Sequence, residues 1–205
     1  MSNLVYLSKV RLSFPTLLKP ESSVPGGQEK YSADFIMLPT HAGFAEFYKK
    51  YGELALDKWG AKAQPIMGII NNDRKLRCYG SGAERTDPKT FLPYNGYENM
   101  VHISANCVER PQIIDAYGKP VPEDNTMLYM SLARKLYGGC YVNAAIQPWL
   151  QDSQHGRAVR CELVALQFLE NGEAFGMGTP DAAPLFGAVA GAAPATTAAP
   201  LPDWM

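Results

Sequence analysis

The run from Tyr137 to Trp149 constrains the chain most, because apolar and polar residues alternate along it. Val142, Ala144 and Ile146 fall on one face, while Tyr141, Asn143, Gln147 and Trp149 fall on the other. A period of two is the signature of an extended strand with one face on a core. Similar runs recur along the chain. Val5 to Phe14 places Val10, Leu12 and Phe14 on one side and Lys9, Arg11 and Ser13 on the other, with Pro15 closing the strand. Lys30 to Leu38, Lys75 to Tyr79, Gln112 to Asp115 and Arg157 to Leu169 also read as strands. Met100 to Val108 does too, with Val101, Ile103, Ala105 and Cys107 inward and His102 outward.

One segment breaks this rhythm. Phe44, Phe47, Tyr48, Tyr51 and Leu54 recur at helical spacing after Thr40, a predicted N-cap, and Gly60 provides the stop. The stretch 60–74 follows neither period. Gly80 to Tyr97, rich in Gly, Pro and polar residues, reads as a long loop that interleaves Arg85, Lys89, Phe91, Tyr94 and Tyr97. The fold class expected is mostly β: an OB-like, five- to seven-stranded antiparallel barrel with one main inserted α-helix. It occupies residues 1–177 and is followed by a disordered C-terminal tail, residues 178–205.

That tail is Ala, Pro, Gly and Thr, with only Asp181 and Asp203 charged, and its last residues are Asp203, Trp204 and Met205. Such a composition has too little apolar side chain to offset the entropy of ordering. A Trp at the tip of a flexible arm suits a tethered peptide that docks on a partner protein.

Net charge is −1, from 19 basic and 20 acidic residues. Phosphate binding therefore requires a local concentration of cations rather than a basic chain. No apolar run is long enough for a bilayer and no leader pattern precedes the first strand, so the expected location is the host cytoplasm. The four cysteines lack paired spacing and the three histidines lack metal-ligand spacing, so neither metal nor cofactor is expected. No phosphate-binding loop or nucleophile elbow is present, and no catalytic residue is assigned. Acidic pairs such as Glu123 and Asp124, with nearby acids, suit Mg²⁺ in a nuclease, and an acidic helix start explains them equally.

Lys9 to Pro15, Lys30 to Phe35, Arg110-Pro111 with Asp115 to Gly118, Gly138 to Ala144, Leu163 to Phe168 and Asn171 to Glu173, in that order and spacing, resemble a family of phage single-stranded DNA-binding proteins. Lys9-Val10-Arg11-Leu12-Ser13-Phe14-Pro15 and Lys30-Tyr31-Ser32-Ala33-Asp34-Phe35 are similar to its opening hairpin. Arg110-Pro111 with Asp115-Ala116-Tyr117-Gly118 resembles its middle. Gly138-Gly139-Cys140-Tyr141-Val142-Asn143-Ala144, Leu163 to Phe168 and Asn171-Gly172-Glu173 resemble its last hairpin. Asn125 to Tyr137 is longer than the family pattern, and the tail tip has one acid rather than a cluster.

The resemblance implies a non-enzymatic, sequence-tolerant binder of single-stranded DNA in phage replication or recombination. Its partners would be single-stranded DNA and, through the tail, phage or host replication and recombination proteins, with a homodimer as a further candidate. Bases stack on rings while cations follow the backbone. The residues expected to do so are Lys9, Arg11, Arg77, Tyr79, Tyr141, Asn143 and Trp149, with Tyr31, Phe35, Arg134, Lys135 and Tyr137 beside them. The alternative is a non-enzymatic virion, assembly or adaptor protein on the same barrel.

Overall fold

The computed structural model describes residues 3–22, 24–154 and 156–176. Its elements are β1 (Val5–Glu21), β2 (Lys30–Met37), α1 (Ala42–Trp59), α2 (Ala63–Asn72), β3 (Tyr79–Ser81), β4 (Val101–Cys107), β5 (Gln112–Ile114), α3 (Thr126–Ala133), β6 (Tyr141–Ser153) and β7 (Gly156–Glu170). The predicted tail, including Asp203, Trp204 and Met205, lies outside the described residues.

Five strands close on themselves. β1 pairs with β2 and β6, β2 with β4, and β6 with β7, all antiparallel. A parallel contact between β4 and β7, at Asn106 opposite Glu162, completes the ring. β3 adds to the edge of β4, and β5 runs parallel to β7. This is an OB-fold barrel with two accessory strands. The expectation of an all-antiparallel barrel is corrected at the β4–β7 and β5–β7 pairings.

The barrel core follows the alternation. Val5, Leu7, Val10, Leu12, Phe35, Ile103, Val142, Ile146 and Leu163 are all buried. α1 covers the barrel through Phe44, Phe47, Tyr51 and Ala55, which return at helical spacing to one buried face. Its N-cap is His41 rather than Thr40: His41 Nδ1 accepts from the Gly43 N–H at 3.1 Å. Gly60 ends it at φ 52°, a backbone angle that disfavours a side chain. The stretch after Gly60 contains a second helix, α2, which buries Ala63, Ile66 and Ile70.

β1 departs most from its reading. It runs through Pro15 to Glu21, because a register shift between Ser13 and Thr16 spares the ladder the N–H that proline lacks. Lys9 and Phe14 take positive φ, 49° and 44°. Each change of backbone hand resets the alternation. Ser13, expected outside, is buried, and Phe14, expected inside, is 49% exposed.

Of the predicted Lys75–Tyr79 strand only Tyr79 lies in one, β3, and segment 74–78 is irregular. It fills the seam between β4 and β7: the Ser104 N–H donates to Cys78 O at 2.6 Å and the Val159 N–H to Leu76 O at 2.8 Å.

Candidate nucleic-acid interface

The seam determines where charge collects. With Leu76 and Cys78 tied to the strands on either side, Arg74, Lys75 and Arg77 line a cleft of about 500 Å³ over the outer side of β4. Arg85 enters from the 80–97 loop and Arg160 from β7, while Glu84 is the one carboxylate among the lining residues. His102, Ser104 and Asn106 of β4 also line it. Arg77 is committed to the protein: its Nη2 lies 2.7 Å from Glu84 Oε2 and its Nη1 donates to Tyr79 O at 2.5 Å. Arg160 meets neutral groups, donating to Gln151 Oε1 at 3.2 Å and to Lys75 O at 3.1 Å.

His102 was expected outward, and it does face away from the core, yet only 6% of it is exposed. Burial pulls its imidazole down to about 4. The histidine is therefore neutral at ordinary pH and adds no charge.

The 80–97 loop is pinned at its base. Asp34 on β2 is buried opposite Ser13, makes an ion pair with Arg85, and accepts from the Tyr97 hydroxyl at 3.0 Å. Burial pushes that hydroxyl well above the usual tyrosine range. Above this anchor the loop turns back on itself, with the Asp87 N–H on Leu92 O and the Tyr94 N–H on Arg85 O, both 2.9 Å. Phe91 stands 80% exposed at the tip, while Tyr97 is wholly buried. The loop also carries Tyr94 against Phe14, ring centroids 4.9 Å apart and nearly perpendicular. Beside that pair lies a second cleft of about 680 Å³, lined by Phe14, Pro15, Pro93, Tyr94 and Phe175 among others.

The residues singled out in the sequence separate into groups. Lys9, Arg11, Tyr141 and Asn143 do come together on β1 and β6, but they largely satisfy one another and the chain. Lys9 Nζ is 2.9 Å from Glu170. Arg11 lies between the rings of Tyr141 (5.5 Å) and Phe175 (4.2 Å) and donates to Gly139 O and Glu173 O. Asn143 accepts the Lys9 N–H and donates to Gln167, both at 3.0 Å. Trp149 is 45% exposed further along β6, directly opposite Arg160.

Two assignments are corrected. Phe35 is fully buried in the barrel, and Tyr79 is 3% exposed because its ring stacks on Tyr51 at 5.0 Å. Neither presents a free face to a base. Tyr31 is half-buried opposite Cys107 on β4. Arg134 and Lys135 follow α3 on the surface, and the Tyr137 hydroxyl is taken up by Asn171 and Gly172. None of these four lines either cleft. Glu123 and Asp124 immediately precede the Asn125 N-cap of α3.

Sequence reasoning missed Phe14, Arg74, Arg160 and Phe175. The seam brings Arg74 to the cationic cleft and the β1 bulge turns Phe14 outward, whereas the sequence alone already places Arg85 and Tyr94 in the 80–97 loop.

Comparison with known proteins decides the family. A family model described as the single-stranded DNA-binding protein of Enterobacter phage Enc34 matches residues 3–195. The chain belongs to this family. A putative protein p50 of Acyrthosiphon pisum secondary endosymbiont phage 1 is 29% identical over 173 residues, covering 83% of this chain and 85% of the relative. The bacteriophage Enc34 single-stranded DNA-binding protein, solved in complex with single-stranded DNA, superposes with a TM-score of 0.65 at 23% identity, over 85% of this chain and 90% of that one. The bacteriophage T7 single-stranded DNA-binding protein gp2.5 shares the fold at 12% identity, with a TM-score of 0.52 over 93% and 100% of the two chains. Among the described residues no helix is long and apolar enough to cross a membrane.

Proposed function

We propose that this protein is a sequence-tolerant, non-enzymatic single-stranded DNA-binding protein of phage replication or recombination, and that the strand crosses the cationic cleft over the β4–β7 seam. The observation that carries the reading is the gathering of Arg74, Lys75, Arg77, Arg85 and Arg160 there, in a chain whose net charge is −1. In OB-folds the face of the second and third barrel strands binds oligonucleotides. Those strands here are β2 and β4, and the cleft lies on β4. Family membership and the Enc34 complex support the same ligand.

The chemistry follows from the geometry. Arg74 and Lys75 are exposed and Arg160 is half-buried, so all three can meet phosphates from one side of the cleft. Exposed rings at Phe14 and Trp149 can stack only on bases that have no pairing partner, which favours the single strand over the duplex. The 80–97 loop, fixed at Asp34, holds its tip beside the path as a clamp.

Residues 1–177 form the binding domain in this reading. Residues 178–205 are a recruitment arm whose Asp203, Trp204 and Met205 engage replication or recombination proteins. Removing residues 200–205 should abolish capture of such partners and leave the fold intact.

The test of binding is a fluorescence titration with single- and double-stranded oligonucleotides of equal length. Tight, salt-sensitive preference for the single strand is expected. Equal affinity for both, or none, overturns the reading.

A further inference from the structure

We propose that the cleft between Phe14, Tyr94 and Phe175 is a second binding site, a pocket for an unstacked nucleobase of the strand whose phosphates lie in the cationic cleft. The proposal rests on the single-strand reading above and adds to it a site for a different part of the ligand.

The two clefts differ in chemistry. The cationic one carries five basic side chains. The aromatic one carries none: its polar lining includes Ser13, Thr90 and Asn95, and its one charged residue is Asp87. A phosphate would find no cation among the lining residues, since Arg11 and Arg85 lie behind the Phe175 and Phe14 rings, and would meet Asp87. A neutral heteroaromatic ring would find faces to stack on and, in the Asn95 amide and Thr90 hydroxyl, both donors and acceptors for its edge. The volume, about 680 Å³, lies within the range of small-molecule sites.

The clefts also adjoin. Tyr94 lines both, and Arg85, which lines the cationic cleft, has its guanidinium 5.8 Å from the Phe14 ring. A backbone lying on the cations therefore passes beside the aromatic pocket, within reach of a base turned off the stack.

The backbone turns one wall outward at the β1 bulge. Phe14 has φ 44°, an outlier for a bulky residue, and the result is a ring turned 49% into solvent rather than into the core. Strained positions that expose an apolar ring are concentrated at ligand sites, and we take Phe14 as one of them. Phe175 is held from two sides. Arg11 lies 4.2 Å over its ring, and Gly96, at φ 83°, leaves room for that ring where any Cβ would collide with it.

Photo-crosslinking of the full chain to oligo-dT carrying 5-iododeoxyuridine, mapped by mass spectrometry, tests the placement. Adducts at Phe14, Tyr94 or Phe175 are expected. In parallel, Phe14→Ala should weaken binding roughly 5- to 150-fold, the value of one base on one ring, while the salt dependence stays as in the parent. Phe14→Leu keeps apolar bulk and should lose as much; full affinity in Phe14→Leu would mean that the ring serves packing alone and would overturn the pocket.

If the unaltered chain binds but Phe14→Ala binds equally and adducts fall only on the cationic cleft, the pocket is refuted and single-strand binding stands. Tighter binding by Phe14→Ala would show that the pocket holds a competitor such as the chain's own tail, which also refutes it. No binding by the unaltered chain overturns both proposals.

Discussion

If the cationic cleft carries the phosphates, its contribution to salt dependence can be worked out from its ion pairs. Of the five cations, Arg77 is neutralised by Glu84 at 2.7 Å and Arg85 by Asp34. Arg74, Lys75 and Arg160 have no carboxylate within ion-pair distance among the described residues. Each phosphate neutralised on a single strand contributes about 0.7 to the slope of log K against log salt, so three free cations give a slope of about −2. Between about 50 and 200 mM salt, that alone weakens binding roughly 16-fold. The triple variant Arg74→Gln/Lys75→Gln/Arg160→Gln should flatten the slope by about 2, and each single change by about 0.7.

Fluorescence anisotropy of a labelled oligo-dT across that salt range measures the slope directly. Thermal melts provide the control, since Arg160 also donates to Gln151 and Lys75 and its loss is felt locally. A triple variant that melts like the parent and keeps the parent's slope would refute the argument. The phosphates would then have to follow another surface, such as that of Lys9 on β1.

Three further expectations follow from the same geometry. Burial lowers His102 from 6.5 to about 4, with Arg85 and Arg77 adding to the depression and Asp34 and Glu84 opposing it. The unfolded chain therefore takes up this proton first, and stability falls as pH drops from 6.5 towards 4, by ~3 kcal/mol at most; urea midpoints at pH 7 and pH 5 should differ less in His102→Gln than in the parent. Asp34→Asn removes the partner of Arg85 at a buried site and should cost ~1–3 kcal/mol, read as faster proteolysis within 80–97 as well as an earlier melt. Trp149→Ala should weaken oligo-dT binding by ~1–3 kcal/mol, whereas Tyr141→Ala should change it less, because Lys9 and Arg11 already lie over that ring at 5.7 and 5.5 Å.

The parts of the fold legible in the sequence are those where one local rule acts alone. β6 alternates as expected, and its inward residues Val142, Ala144 and Ile146 are buried as predicted. α1 repeats its aromatics at helical spacing and stops at a glycine. α2 was hidden because Pro65, Gly68 and two asparagines break its composition, yet Pro65 falls in the first turn, where a missing N–H costs nothing. β1 misled at Pro15 for a related reason: proline ends a regular ladder but not a bulged one. Counting in twos along the expected Lys75–Tyr79 strand puts Tyr79 on the same face as Lys75 and Arg77. The segment is irregular as far as Cys78, and Tyr79, at the start of β3, turns its ring to the Phe47, Tyr48 and Tyr51 cluster.

The candidate site was less legible because it belongs to barrel closure, which no single segment encodes. β4 and β7 meet at one parallel pair, Asn106 and Glu162, and then diverge. Left open, that gap would strand the amides of Ser104 and Val159, and buried unpaired amides are costly. Segment 74–79 supplies the missing carbonyls from Cys78 and Leu76. Because those bonds use only backbone, the side chains of Arg74, Lys75 and Arg77 remain available to line the cleft above the seam, where Arg160 joins them from β7. The same insertion therefore closes the sheet and charges its outer face. A chain with net charge −1 can in this way hold a local cationic groove without an excess of basic residues.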